Sequence, residues 1–407
     1  MIKKFGFWVS GLLALCLVTC VMAAPSALQM LGNANKPIPV PTPPSVNAKA
    51  YILLDANSGR VLAEKGADDK LNPASLTKMM TLYIVSDALK QARIHLDDKV
   101  TVSEKAWRTG GSRMFIKVGD TVPVEQLIQG VIVQSGNDAC VALAEHVAGN
   151  ENSFADLMNE QAQLLGMKNS HFTDSTGMPD PNHYSTARDL ANLATHLVMD
   201  FPEYYHYYKE KWFTFNGIKQ PNRNRLLWRD ATVDGIKTGH TEDAGYCLVS
   251  SAKTDDMRLV SVVMGASTDA GRADDSQRLL TYGFRFYETH RLYQGGQTLA
   301  NERVWYGQNN SVPLSITKEV YVTIPRGSYK QLQANIEIPG NLMAPISKGQ
   351  TLGTLNVKLG DQSVVQIPLI AAASDPQAGV FKRMKDSVHL TFKHWFGTRD
   401  KDKLDQS

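Results

Sequence analysis

The sequence predicts an α+β protein, with a small all-β domain behind it and an amphipathic helix near its end. Three observations carry this. Strand-like segments near residue 50 and between 212 and 264 enclose a long stretch whose apolar residues recur at three- and four-residue steps. Past Leu292 that helical spacing stops, and short apolar runs alternate with Gly, Pro and Asn turns. After Ser374 it returns once: Phe381, Met384, Val388, Phe392 and Trp395/Phe396 recur at helical steps, with Lys382, Arg383, Lys385 and Lys393 at other positions.

Length and composition bound the rest. The 407 residues are 43% hydrophobic and 20% charged, enough to build a sizeable core in two or three domains. The net charge is +3, and no basic domain stands out, which argues against nucleic acid as the main partner. Lys3 and Lys4, the apolar run 12–21 and the small-residue site Val21-Met22-Ala23-Ala24 predict a signal peptide over 1–24; an uncleaved anchor is the alternative. Cleavage leaves two cysteines, Cys140 and Cys247. Both lie in apolar surroundings and are expected to be buried free thiols.

In chain order, residues 25–47 are rich in Pro, Ala and Asn and read as a tether. Segments 50–55 and 61–64 read as a hairpin around Asn57-Ser58-Gly59. Helical spacing follows over 75–93, 124–133, 138–147, 153–165 and 187–198, the last with Thr186 as its N-cap. A loop dense in Ser, Asp, Pro, Gly and Asn spans 170–184 and is long enough to suggest a functional role. Strands are expected at 212–215, 233–237, 246–250 and 259–264, then a helix at 274–288. The first and last strands of this α+β domain, 48–290, are expected to share one antiparallel sheet. The small β domain is expected over 291–373 and the terminal helix over 377–399. A basic amphipathic helix of this kind suits the plane of an anionic membrane; packing on its own domain is the alternative.

Asn72-Pro73-Ala74-Ser75-Leu76-Thr77-Lys78 carries the first chemical signal. Ser75 and Lys78 share a helix face at i, i+3, so the amine can reach the hydroxyl. A serine needs an adjacent base to become a nucleophile, and a lysine serves only if its pKa is lowered by burial and positive potential. Two further Ser-x-x-Lys matches exist, Ser250/Lys253 and Ser315/Lys318, but they fall in a strand and in the β-rich tail. Ser135-Gly136-Asn137 then sits between two helices, and Lys237-Thr238-Gly239 ends a strand. The three motifs in this order form a known signature of penicillin-recognising enzymes.

The chain therefore resembles the low-molecular-weight penicillin-binding proteins, serine-type D-Ala-D-Ala carboxypeptidases of the type-5 class. Supporting stretches are Gln134-Ser135-Gly136-Asn137-Asp138-Ala139-Cys140 and Val233-Asp234-Gly235-Ile236-Lys237-Thr238-Gly239-His240-Thr241. The resemblance implies a β-lactamase-like transpeptidase fold, an antiparallel sheet with a helical subdomain. It implies that Ser75 attacks the bond between the two terminal D-alanines of peptidoglycan stem peptides. Lys78 would be the base, Ser135 the proton relay, and Asn137 a partner of the substrate amide that also holds Lys78. Lys237 and Thr238 would meet the terminal carboxylate, Gly239 would leave room for a substrate strand, and the N–H groups of Ser75 and His240 would form the oxyanion hole. β-Lactams would acylate Ser75, and the absence of Glu over 161–200 implies slow release. No cofactor or metal is implied. The implied location is the periplasmic face of the cytoplasmic membrane, held through the terminal helix. A crosslink endopeptidase, a serine β-lactamase and a non-catalytic wall-binding scaffold remain as alternatives. Arg223 and Arg272 are expected to be solvated at the surface; lending positive charge near a carboxylate is the alternative.

Overall fold

The computed structural model describes residues 39–397, so the expected signal peptide and the first part of the tether lie outside the described residues. Five strands form the central sheet: β1 (Ala50–Asp55), β2 (Val61–Lys65), β3 (Val233–Thr241), β4 (Gly245–Thr254) and β5 (Met257–Ala266). Their order is β2-β1-β5-β4-β3, antiparallel throughout. β1 pairs with β5 from Ala50↔Met264 to Asp55↔Leu259, so the first and last strands do share one sheet.

Every residue of β1 is buried because the sheet separates two cores. Ala50, Ile52 and Leu54 point into a helical subdomain. Tyr51 and Leu53 point the other way, toward Leu279, Leu280 and Tyr282. The principal helices are α1 (Lys78–Lys90), α2 (Asn137–Ala148), α3 (Glu151–Leu164), α4 (Ala187–Asp200), α5 (Asp269–Phe286) and α6 (Val380–Gly397). α1 is buried almost all round, which its apolar sequence permits. Thr186 caps α4 through the Asp189 N–H at 3.1 Å, as its position predicts.

The strand expected at 212–215 forms, but outside the central sheet. Trp212–Phe215 pairs with Ile218–Pro221 across Asn216-Gly217, both at positive φ, the two-residue hairpin turn that Asn-Gly favours. The helix expected over 124–133 is broken. It runs from Val124 to Gln129, then widens into a π turn, Gly130–Gln134, that delivers Ser135 at φ 63°.

Beyond α5, Tyr287–Tyr293 pairs with Val320–Pro325, and this strand runs across residue 290. A six-stranded sheet follows, in the order Leu332–Glu337, Thr351–Leu359, Gln362–Ala371, Ser311–Ser315, Thr298–Trp305, Leu342–Met343, around its own apolar core. The two parts meet at a buried polar cluster. Asp55 accepts from Ser58 Oγ at 2.9 Å and Thr289 Oγ1 at 3.0 Å, and Ser58 Oγ lies 2.6 Å from Thr323 Oγ1. α6 docks on the β domain through Asp386, which accepts the Tyr306 N–H at 2.8 Å, while Phe381, Met384 and Val388 stay exposed. No described helix is long and apolar enough to cross a membrane.

Candidate active site

Ser75 lies in a 3₁₀ turn, Ala74–Thr77, directly before α1. Ala74 adopts φ 47°, an unusual conformation for a residue with a Cβ, and its N–H is held by Asn72 Oδ1 at 2.8 Å. The turn projects Ser75 toward Lys78, whose Nζ donates to Ser75 Oγ at 2.8 Å and to Thr176 O at 2.7 Å. Lys78 is fully buried, and burial, helped by the Arg223 charge, pulls its pKa down to about 8.

A second lysine–serine pair faces the first. Lys237 Nζ donates to Ser135 Oγ at 2.9 Å and to Thr238 O at 3.1 Å. Burial again pushes its pKa well down, with the positive charges of Lys78, Arg223 and Arg272 acting in the same direction. Ser135, Asn137 and Thr238 are all buried nearby. Asn137 does not bond to Lys78. Its Nδ2 donates to Gly110 O at 2.7 Å, so the expected hold on Lys78 falls instead to the Thr176 carbonyl. Asp138 organises the floor, accepting the N–H groups of Met114, Phe115 and Ile116 at 2.8–3.3 Å.

β3 is the edge strand of the sheet, and Gly239 lies against the nucleophile's turn. A Cβ there would meet Pro73 O at 3.0 Å and Leu76 Cγ at 3.2 Å, so a side chain would press on Ser75's own segment where β3 approaches it. His240 is exposed, its ring centred 4.0 Å from that of Tyr246 and tilted 31° to it.

The 170–184 loop closes one side. Gly177, at φ 86°, packs so tightly that a Cβ would come within 1.9 Å of Ala74 O. Asp174 Oδ1 accepts from the N–H groups of Thr176 and Gly177 at 2.6 and 2.7 Å. His183 is buried, with Nε2 2.8 Å from Thr77 Oγ1 and Nδ1 accepting the Thr173 N–H at 3.2 Å. Burial lowers its pKa, keeping the ring neutral. Glu151, from α3, accepts from Ser175 Oγ at 2.7 Å and pairs with Lys105 at 2.8 Å. Cys140 Sγ donates to Ser175 O at 2.9 Å, and burial raises this thiol to about 11. Cys140 and Cys247 are both buried and free, as expected.

Positive charge gathers beyond β3. Arg272 is buried, not solvated as expected: α5 starts earlier than its apolar pattern implied and carries Arg272 inward to donate to Gly239 O at 2.9 Å and Cys247 O at 3.2 Å. Its other nitrogen meets Asp269, which also pairs with Arg225 at 2.6 Å. Arg223 is exposed and has no carboxylate partner among the described residues. The described residues hold no cluster of metal-ligating side chains.

The arrangement is a nucleophile–base pair, a second hydroxyl beside a second buried amine, and a patch of positive potential along an edge strand. Residues 38–268 match the family described as D-alanyl-D-alanine carboxypeptidase, and residues 287–377 match the penicillin-binding protein 5 C-terminal domain. D-alanyl-D-alanine carboxypeptidase DacA of Escherichia coli is 45% identical over 391 residues, covering 94% of this chain and 97% of that protein. Penicillin-binding protein 5 from Haemophilus influenzae superposes with a TM-score of 0.81 at 46% identity, over 83% of this chain and 100% of that one. Penicillin-binding protein D2 from Listeria monocytogenes, solved in its ampicillin-bound form, gives 0.56 at 29% identity, over 60% of this chain and 100% of that one. The chain belongs to the D-alanyl-D-alanine carboxypeptidase family of serine peptidases and carries a C-terminal domain of the penicillin-binding protein 5 type.

Proposed function

We propose that this protein removes the terminal D-alanine from peptidoglycan stem peptides through an acyl-enzyme on Ser75. The observation that carries the reading is the fully buried Lys78 amine 2.8 Å from Ser75 Oγ. A neutral amine has two N–H groups and one lone pair. Thr176 O takes one N–H, which leaves the lone pair free to accept the Ser75 proton. Attack on the penultimate D-Ala carbonyl builds an oxyanion, which the Ser75 and His240 N–H groups stabilise; losing one such donor lowers the rate on the order of 100-fold. Lys237 donates to Ser135 Oγ, so the Ser135 proton turns toward the departing amine, which must be protonated to leave.

Lys237, Thr238 and the charges of Arg223 and Arg272 provide the setting for the substrate's free carboxylate, while Asn137 meets its amide. Water then repeats the attack with Lys78 as its base. A β-lactam acylates the same serine, and without a glutamate in the 170–184 loop the adduct is released slowly. We further infer export by the 1–24 segment and peripheral attachment to the periplasmic face of the cytoplasmic membrane through α6, the β domain acting as a spacer toward the wall. The exposed Phe381, Met384 and Val388 support that attachment; a chain lacking 377–407 that still sediments fully with membranes would refute it.

The test of the activity is release of D-alanine from a peptide ending in Lys-D-Ala-D-Ala. Wild-type protein releases it, benzylpenicillin blocks it, and Ser75→Ala abolishes it. Release that survives Ser75→Ala would assign the wrong serine, and none from folded wild-type protein would remove the carboxypeptidase reading.

A further inference from the structure

We propose that α6 and the β domain jointly form a pocket for the anionic phosphate headgroup of a membrane phospholipid, with the acyl chains lying along the apolar side of α6. The proposal rests on the membrane-attachment reading above and gives it a chemical preference. A cavity of about 500 Å³ opens between the strand Thr298–Trp305, the start of Ser311–Ser315 and α6. Arg303, Asn310 and Ser311 line it from the domain, and Lys382, Lys385 and His389 from the helix.

Its charge is unbalanced. The Lys382 ammonium donates to Gln308 O at 2.9 Å and Asn309 O at 3.0 Å, which fixes it in the wall. The Arg303 guanidinium lies over Trp305, 3.8 Å from the ring centre. Among the described residues no carboxylate pairs with Arg303, Lys382 or Lys385. Asp386 also lines the cavity, but it is buried and occupied by the Tyr306 N–H. Three cations with amide and hydroxyl donors beside them suit the oxygens of a phosphate.

The second half of the argument is what adjoins the cavity. Phe381 is 91% exposed, and Val380, Met384, Val388 and Phe392 are 56–67% exposed. Phe381, Met384, Val388 and Phe392 form one stripe, and Lys385 and His389 each follow a stripe residue by one position, so the cavity opens along its edge. An anionic headgroup joined to apolar chains complements both features. A free anion would leave the stripe uncovered.

The test uses the chain from residue 25 onward with vesicles of phosphatidylcholine alone and of phosphatidylcholine mixed with phosphatidylglycerol, at one ionic strength. Arg303 lies on the β domain, so Arg303→Gln leaves the helix's own charge and stripe intact. Its preference for the anionic vesicles should fall about fivefold, with binding to phosphatidylcholine unchanged. Lys330→Gln, which removes a cation of the same domain outside the cavity, should leave the preference as it is. Thermal unfolding unchanged from wild type in both variants shows that the β domain is intact. An equal fall in both variants means diffuse attraction and overturns the pocket, as does no fall in Arg303→Gln. Wild-type protein that binds both vesicles equally well also overturns the pocket but keeps the anchor. Wild-type protein that binds neither removes the anchor and the pocket together.

Discussion

Lys78 must work uncharged, and its surroundings make that possible near neutral pH. Burial brings it down to about 8, so below that value the reactive fraction rises roughly tenfold per pH unit. The acylation rate, followed with a chromogenic β-lactam, should climb with that slope and flatten above about 8. The direction follows from the role: a base is active deprotonated, and burial favours the deprotonated amine. Lys78→Arg should lower the rate on the order of 10³-fold at every pH, since a guanidinium stays charged and cannot accept the serine proton. The same buried site explains why Lys237 differs in role. Its pKa is pushed down by burial as well, and what sets it apart is geometry: its contact with Ser135 uses its N–H rather than its lone pair.

Among the elements, the 170–184 loop does most to shape the site, because it supplies the Thr176 carbonyl and closes on the nucleophile's turn. Gly177→Ala would force a Cβ into Ala74 O and should lower kcat by about 100-fold while leaving the circular dichroism spectrum unchanged. Asp138→Ala tests the opposite wall. It orphans the N–H groups of Met114, Phe115 and Ile116, and a loss of roughly 3–5 kcal/mol in urea unfolding is expected. The three motifs were legible in the sequence because each is contiguous: the Ser75 and Ser135 motifs lie at helix starts, and Lys237-Thr238-Gly239, expected to end a strand, lies within β3, which pairs on to Thr241. The loop's fastenings were not. Glu151 reaches Ser175 from another helix, and Asp189 turns away from its own cap to accept from the Asn169 N–H and Ser170 Oγ. No local period encodes such contacts. The Asn216-Gly217 hairpin was legible in principle, since that dipeptide between apolar runs signals a two-residue turn. The burial of Arg272 was not legible because the apolar pattern of α5 begins only after its polar, Thr268-capped first turn.

At the scale of the whole molecule, the sheet carries the catalytic edge at β3, while its first strand ends at the junction with the β domain. Asp55 bridges the two, fully buried and hydrogen-bonded to Ser58 and Thr289. Asp55→Ala removes the acceptor those groups share, so thermal unfolding should shift down by an amount corresponding to about 2–3 kcal/mol. Since the junction is built apart from Ser75 and Lys78, D-alanine release by the remaining folded protein should stay near wild type. The whole arrangement serves one chemical event, acyl transfer to Ser75. The most direct measurement is mass spectrometry of the protein after brief exposure to ampicillin, followed by proteolysis to locate the adduct. A single added ampicillin mass on the peptide bearing Ser75, absent in Ser75→Ala and slow to disappear on dilution, is the predicted result. An adduct on any other residue, or none on folded protein, would contradict it.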